Sequence, residues 1–352
     1  MRILTVKGAG NFNAGPKAPS DIIEILINKY NAKSELLIQK NGIIGKINYR
    51  LKIFFTILKS RIKNEVLVMQ FPMYETTKIL NKLFLFSLNF INKNKTVVLI
   101  HDLDSIRSED EILKKQELDR LSKVKYIIVH NEKMKKYLEK LDIKAKMYNL
   151  EIFDYLCDKK EDFERRDIKI DTNNLKIAYA GNLINVKSPY IYQLDESKMN
   201  FKINLYGVGI EKDINSKLVY KGKFPPNELP DKIDGDLGLI WDGNSADTCE
   251  GNYGEYLKYN NPHKTSLYLA GELPVIIWEQ AALAPFVLKH KVGIVIKKLS
   301  EINKKIEEIS ADEYMDIKEN VAEISGKIRR GYFMNCAIKK AIDQLGYRCI
   351  VC

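Results

Sequence analysis

The chain has 352 residues, 45% of them hydrophobic and 29% charged. That is length enough for two domains with separate cores, and the composition excludes wholesale disorder and a membrane bundle. No run approaches the roughly 20 apolar residues of a spanning helix. The opening MRILTVKGAG reads as a strand entering a glycine turn, without the features of a secretory signal. Five scattered or terminal cysteines (Cys157, Cys249, Cys336, Cys349, Cys352) lack framework spacing and suit a reducing, cytoplasmic compartment. Residues 1–150 hold 28 Lys+Arg against 15 Asp+Glu, or +13, and the remainder 29 against 31, or −2. The basic half therefore expects an anionic partner: nucleic acid, a membrane surface or a phosphorylated substrate.

In chain order, Ile3 to Val6, Glu35 to Gln39, Val66 to Gln70, Thr96 to His101 and Tyr126 to His130 read as strands. Helical stretches fall between them, the alternation of βαβ units and a parallel sheet. After the first strand, Gly8 to Lys17 is a glycine-rich turn, with a helix cap expected at Ser20 or Asp21. The segment from Lys40 to Lys63 carries Lys40, Lys46, Arg50, Lys52, Lys59, Arg61 and Lys63 and no acidic residue. Between them stand Ile43, Ile44, Ile47, Leu51, Phe54, Phe55 and Leu58. It reads equally as a helix in the interface of an anionic membrane and as a core helix with a solvated basic face. No zinc, RNA-recognition or helix-turn-helix pattern accompanies it, so nucleic acid is not expected. His101, Asp102 and Asp104 follow the fourth strand and are expected at an interdomain cleft. A carboxylate there can act as general base toward an acceptor hydroxyl. Asp102 is the first candidate and His101 and Asp104 its rivals; the alternative is that Asp102 or Asp104 caps the next helix.

Cys157 to Asn174 is polar and charged with little apolar periodicity, and residues 151–174 read as a linker between a domain at 1–150 and another at 175–330. Alternation resumes with Leu175 to Ala180, Lys202 to Tyr206, Leu237 to Trp241 and Pro274 to Trp278. Ligands of such sheets bind beyond the carboxyl ends of the strands, which marks Gly181 and Asn182 as site residues. Tyr206 reads equally as site or core aromatic. Further on, Asn261 is a natural N-cap, Pro262 suits the first helical position, and Gly271 ends the helix. The N–H groups and dipole of that helix make an anion site, and Lys264 adds a positive charge for a diphosphate.

Pro262, Lys264, Ala270, Gly271, Pro274 and Val275 match a P-x-K, then A-G-x-x-P-V, pattern, and here the chain resembles the GT-B glycosyltransferases. More narrowly, the run Gly238, Trp241, Asp242, Gly243, then Gly254 to Leu257 and Asn260 to Pro274, is similar to bacterial β-1,6-galactofuranosyltransferases of surface-polysaccharide clusters. It is also similar to the glucosyltransferases that extend sugars on streptococcal serine-rich adhesins. The resemblance implies an α/β fold of two doubly wound Rossmann-like domains facing across a cleft, with residues 331–352 packing back on the first domain. It implies acceptor binding by Gly10, Asn13, Lys17 and His101. Donor binding falls to Gly181, Asn182, Tyr206, Gly222, Trp241, Asp242, Asn261, Pro262, His263 and Lys264, with Gly222 to Pro230 holding the base. Asp102 and Lys264 would be catalytic, with no metal and no cofactor beyond a UDP-sugar donor. A hexose, galactofuranose before glucose, would pass to a lipid-linked or protein-linked glycan at the inner face of the cell membrane; the glucosyltransferases it resembles associate, and whether this chain forms a homo-oligomer stays open. Where many GT-B enzymes hold the donor ribose with a glutamate, this sequence offers Glu279, with Glu255 as substitute. Two other classes stay open: a non-catalytic GT-B-shaped partner of a transferase, and a basic membrane-surface protein.

Overall fold

A computed structural model describes residues 1–6, 15–37, 43–72, 95–158, 174–211 and 214–346. One unit is built from most of residues 1–150 together with the chain from Phe333 onward, the other from Glu151–Tyr332.

The strands of the first unit are β1 (Arg2–Val6), β2 (Lys33–Leu37), β3 (Leu67–Phe71), β4 (Thr96–Ile100), β5 (Tyr126–Val129) and β6 (Lys146–Asn149). They pair in parallel in the order β2-β1-β3-β4-β5-β6. Every residue of β3 and β4 is buried, as in a parallel sheet covered on both faces. Helices α1 (Lys17–Tyr30), α2 (Ile43–Ile62), α3 (Asp104–Ser108), α4 (Glu111–Leu121) and α5 (Glu132–Lys140) connect the strands. Arg2, 1% exposed, bonds Glu35 of β2 and Glu65 ahead of β3, since a buried guanidinium needs carboxylate partners. Contrary to the expected cap at Ser20 or Asp21, α1 starts at Lys17 behind Pro16, and both residues lie inside the helix.

The second unit contains β7 (Leu175–Asn182), β8 (Phe201–Val208), β9 (Leu218–Gly222), β10 (Leu237–Ile240), β11 (Val275–Trp278) and β12 (Gly293–Ile296). Their parallel order is β12-β11-β10-β7-β8-β9. The helices are α6 (Pro189–Tyr192), α7 (Leu229–Lys232), α8 (Gly251–Tyr256), α9 (His263–Ala270), α10 (Ala284–His290), α11 (Ile302–Glu307) and α12 (Ala311–Arg329). α9 lies close on β10 because Gly238 has no side chain: a Cβ there would stand 2.3 Å from Cγ of Tyr268. The residues read as linker begin inside this unit, where Ile152, Phe153 and Tyr155 are buried. The last helix, α13 (Tyr332–Asp343), buries Phe333, Met334, Ala337, Ile338, Ala341 and Ile342 at helical spacing. Asn335 accepts from the Tyr30 hydroxyl at 2.7 Å, and Gln344 from Lys146 at 2.7 Å.

Apolar alternation does not mark β6, β9 or β12. All three are sheet edges; β6 and β9 are partly polar, as a strand with one unpartnered flank can be, and β12 (GIVI) is apolar but only four residues long.

Candidate functional site

In the second sheet the strand order reverses between β7 and β10: β8 and β9 continue on one side, β11 and β12 on the other. Open parallel sheets bind ligands outside the carboxyl ends of their strands at such a point. Here β7 ends in Gly181 and Asn182, and β10 leads into Trp241 and Asp242. A cavity of ≈ 270 Å³ opens at this end, with Gly181, Asn182, Tyr206, His263 and Lys264 on its walls beside Tyr155, Lys223 and Phe224. Its floor requires Gly207: φ is +144°, and a Cβ would lie 1.8 Å from the Gly181 carbonyl oxygen.

The helix facing this cavity starts later than its spacing predicts. Pro262 is the N-cap of α9, extended at φ −60° and ψ 127°, and no side chain caps it. Asn261 is 3% exposed and its Nδ2 donates to the Glu151 carbonyl at 3.0 Å. It therefore anchors the incoming chain instead of capping the helix. His263 and Lys264, the first turn of α9, line the cavity, so the positive end of the helix dipole points there.

Lys264 Nζ donates to Asp242 Oδ1 at 2.9 Å and to the Trp241 carbonyl at 3.2 Å, and lies 4.9 Å from the centroid of the Tyr179 ring. Its side chain is 15% exposed and that of Asp242 28%. Burial opposes the charge, but Asp242 outweighs burial and the lysine pKa is raised, so the ammonium stays charged. Trp241, Asp242 and Gly222 lie outside the cavity lining. Asp242 balances Lys264. Trp241 is fully buried, its indole N–H on the Ser245 carbonyl at 2.9 Å, and it acts through its own carbonyl oxygen. Gly222 ends β9 just before Lys223.

The aromatic walls are held from behind. The His263 ring stacks on Tyr155 at 5.0 Å and meets Phe153 edge-on at 5.9 Å. The Tyr155 hydroxyl donates to the Pro226 carbonyl at 2.6 Å, tying down the 222–230 segment. Tyr206 faces Phe224 at 6.2 Å, and its hydroxyl accepts from the Asp234 N–H at 2.7 Å, so the ring and not the phenol oxygen forms the wall. Tyr268 accepts from the Ala180 N–H at 2.8 Å, fixing the turn into Gly181. Sequence reasoning missed Tyr155, which arrives on an aperiodic stretch without a signal. Lys223 and Phe224 sit within the Gly222 to Pro230 segment that the resemblance marks.

Of the expected acceptor-side residues, Gly10 and Asn13 lie outside the described residues. Lys17 pairs with Asp21 at 2.6 Å, with side chains 6% and 5% exposed. Its charge is matched by a carboxylate inside α1. His101 and Asp102 are half-buried beyond β4, and the His101 ring bonds the Gln70 amide oxygen. Asp104 pairs with Arg107. Neither Asp102 nor Asp104 caps α3. The Glu117 carboxylate does so, accepting from the N–H groups of Asp104 and Ser105 at 3.0 and 3.3 Å.

Known proteins match both units. The family model "Glucosyltransferase 3-like, N-terminal domain" covers residues 1–152, and its C-terminal counterpart covers residues 177–341. Beta-1,6-galactofuranosyltransferase WbbI of Escherichia coli K12 is 35% identical over 345 residues, 96% of this chain and 96% of that one. Glucosyltransferase 3 of Streptococcus gordonii is 30% identical over 122 residues, 34% of this chain and 35% of that one. Among solved structures, HepE of Anabaena in complex with UDP and glucose has a similar fold, with a TM-score of 0.59 at 13% identity over 99% of this chain and 100% of that one.

Proposed function

Because this chain belongs to the glucosyltransferase 3-like family and is a glycosyltransferase of the GT-B fold, we propose that it takes a hexose from a UDP-sugar held in the cavity of its second unit and passes it to a glycan acceptor held by its first. The observation that carries this reading is the first turn of α9 opening, with Lys264, into a cavity at the strand-order reversal. A diphosphate there would meet backbone N–H groups, the helix dipole and an ammonium fixed in place. The rings of Tyr206 and Phe224 would flank the uracil.

In this reaction the acceptor hydroxyl oxygen bonds the anomeric carbon as that carbon's bond to the diphosphate oxygen breaks. The hydroxyl proton passes to a carboxylate of the first unit, Asp102, with His101 beside it. The electron pair of the broken bond leaves on UDP, where Lys264 and the α9 terminus stabilise the growing charge without a metal. Galactofuranose is favoured over glucose because the relative matched along nearly the whole chain is a galactofuranosyltransferase. A cytoplasmic enzyme of cell-surface polysaccharide assembly fits that choice.

A thermal-shift screen of UDP, UDP-galactofuranose, UDP-glucose, ADP and GDP tests the reading, since a ligand selective for the native state raises apparent stability. Uridine diphosphates should stabilise the chain selectively, with UDP-galactofuranose then consumed in a transfer assay. Absence of a UDP response would contradict the site. A UDP response with neither transfer nor donor hydrolysis would make the chain a non-catalytic partner.

A further inference from the structure

Helix α2 carries two apolar stripes. One packs into the first unit through Tyr49, Ile53 and Ile57, which are 4%, 2% and 0% exposed. On the opposite side Ile44, Ile47, Leu51, Phe55 and Ile62 are 76%, 41%, 39%, 58% and 75% exposed. Steps of three, four, four and seven residues put these five within about 80° of arc on a helix of 3.6 residues per turn. A surface helix of a globular unit needs one such stripe, and a second, continuous and exposed, marks an interaction face.

The borders of the exposed stripe are basic. Lys52 and Lys59 run along one side and Arg61 along the other, with Lys63 just past the helix end, all exposed. Lys52 is steadied by the Leu36 carbonyl at 3.1 Å. Lys59 lies 3.8 Å from Glu35, but that carboxylate is already engaged by the buried Arg2, so the border keeps its positive charge. No acidic residue occurs between Lys40 and Lys63. A second copy of the chain packed on this face about a two-fold axis would set like charge against like. An anionic bilayer offers opposite charge and an apolar phase at the same depth.

We propose that α2 docks this protein on an anionic lipid bilayer, with the exposed stripe sunk among the acyl chains and Lys52, Lys59, Arg61 and Lys63 at the phosphate level. The contact is peripheral: among the described residues no helix is long and apolar enough to cross a membrane. It is independent of which sugar the donor carries.

The test is sedimentation of the full chain with vesicles of phosphatidylcholine alone or mixed with phosphatidylglycerol. Binding is expected to the mixed vesicles, weakening as salt rises. Arg61→Glu with Lys63→Glu should weaken it about tenfold or more, at roughly fivefold per basic residue lost. Phe55→Ser with Ile62→Ser should weaken it comparably even at low salt. Both variants should keep the wild-type circular dichroism spectrum and cooperative thermal melt, which shows that they fold. The proposal is overturned if the mixed vesicles bind no protein or if both variants sediment like wild type. It is equally overturned if light scattering shows a dimer that ignores vesicles and that Phe55→Ser with Ile62→Ser converts to monomer, which would give the face to a second copy.

Discussion

The Lys264 ammonium stands 2.9 Å from the Asp242 carboxylate and 3.2 Å from the Trp241 carbonyl, so the protein itself orients the cation at the head of α9. Such an ammonium costs little reorganisation when charge builds on a leaving diphosphate, the condition under which electrostatic stabilisation is largest. Lys264→Ala is expected to lower transfer from the UDP-sugar about a hundredfold, read from initial rates at saturating donor. Asp242→Asn leaves the partly buried ammonium without its counter-charge. It should cost about 1–3 kcal/mol in denaturant melts.

Tyr155 links two walls of the cavity, its ring stacked on His263 and its hydroxyl on the Pro226 carbonyl at 2.6 Å. Tyr155→Phe keeps the stack and removes one hydrogen bond. The donor KM is expected to rise about threefold to tenfold with kcat nearly unchanged, the scale of a single neutral hydrogen bond. Steady-state kinetics over donor concentration checks the split.

Gly207 leaves no space for a methyl group, because a Cβ would fall 1.8 Å from the Gly181 carbonyl oxygen at a φ of +144°. Gly207→Ala should force β7 and β8 apart where Gly181 enters the cavity. UDP affinity is expected to fall about tenfold or more together with the melting temperature. Calorimetric titration and a thermal melt of the same sample measure both.

Much of this was legible in the amino-acid chain, and particular residues show where legibility stops. The buried runs of β3 and β4 announce central parallel strands, while β6, β9 and β12 sit at edges where neither alternation nor a long apolar run is needed. Gly181, Asn182, Tyr206, His263 and Lys264 meet at one cavity because strand ends and a helix start are local features. Asn261 could not be read the same way: its carboxamide serves a carbonyl 110 residues distant. Tyr155 reaches the site on irregular backbone that no periodicity describes. The Lys17–Asp21 pair at i,i+4 was visible as a spacing, but only burial reveals that the lysine's charge is matched within its own helix.

His130 gives the first unit a pH signature. Burial pushes its pKa down from 6.5 to about 4, outweighing the hydrogen bond to the Ile100 carbonyl, 3.1 Å from Nε2, which favours the charged ring. Between those values the unfolded chain binds a proton that the native state does not, so stability falls as pH drops through this window and levels off below it. The loss should approach about 3 kcal/mol. Denaturant melts across the window should show it, and His130→Gln should remove most of the slope.

The proposed transfer requires a β-phosphate meeting Lys264 at the start of α9, and calorimetric titration of the full chain with UDP and with UMP, in wild type and Lys264→Ala, tests this most directly. Wild type should bind UDP about tenfold or more tighter than UMP, and Lys264→Ala should erase most of that ratio. Equal affinities in wild type, or a ratio unchanged by the substitution, would contradict it.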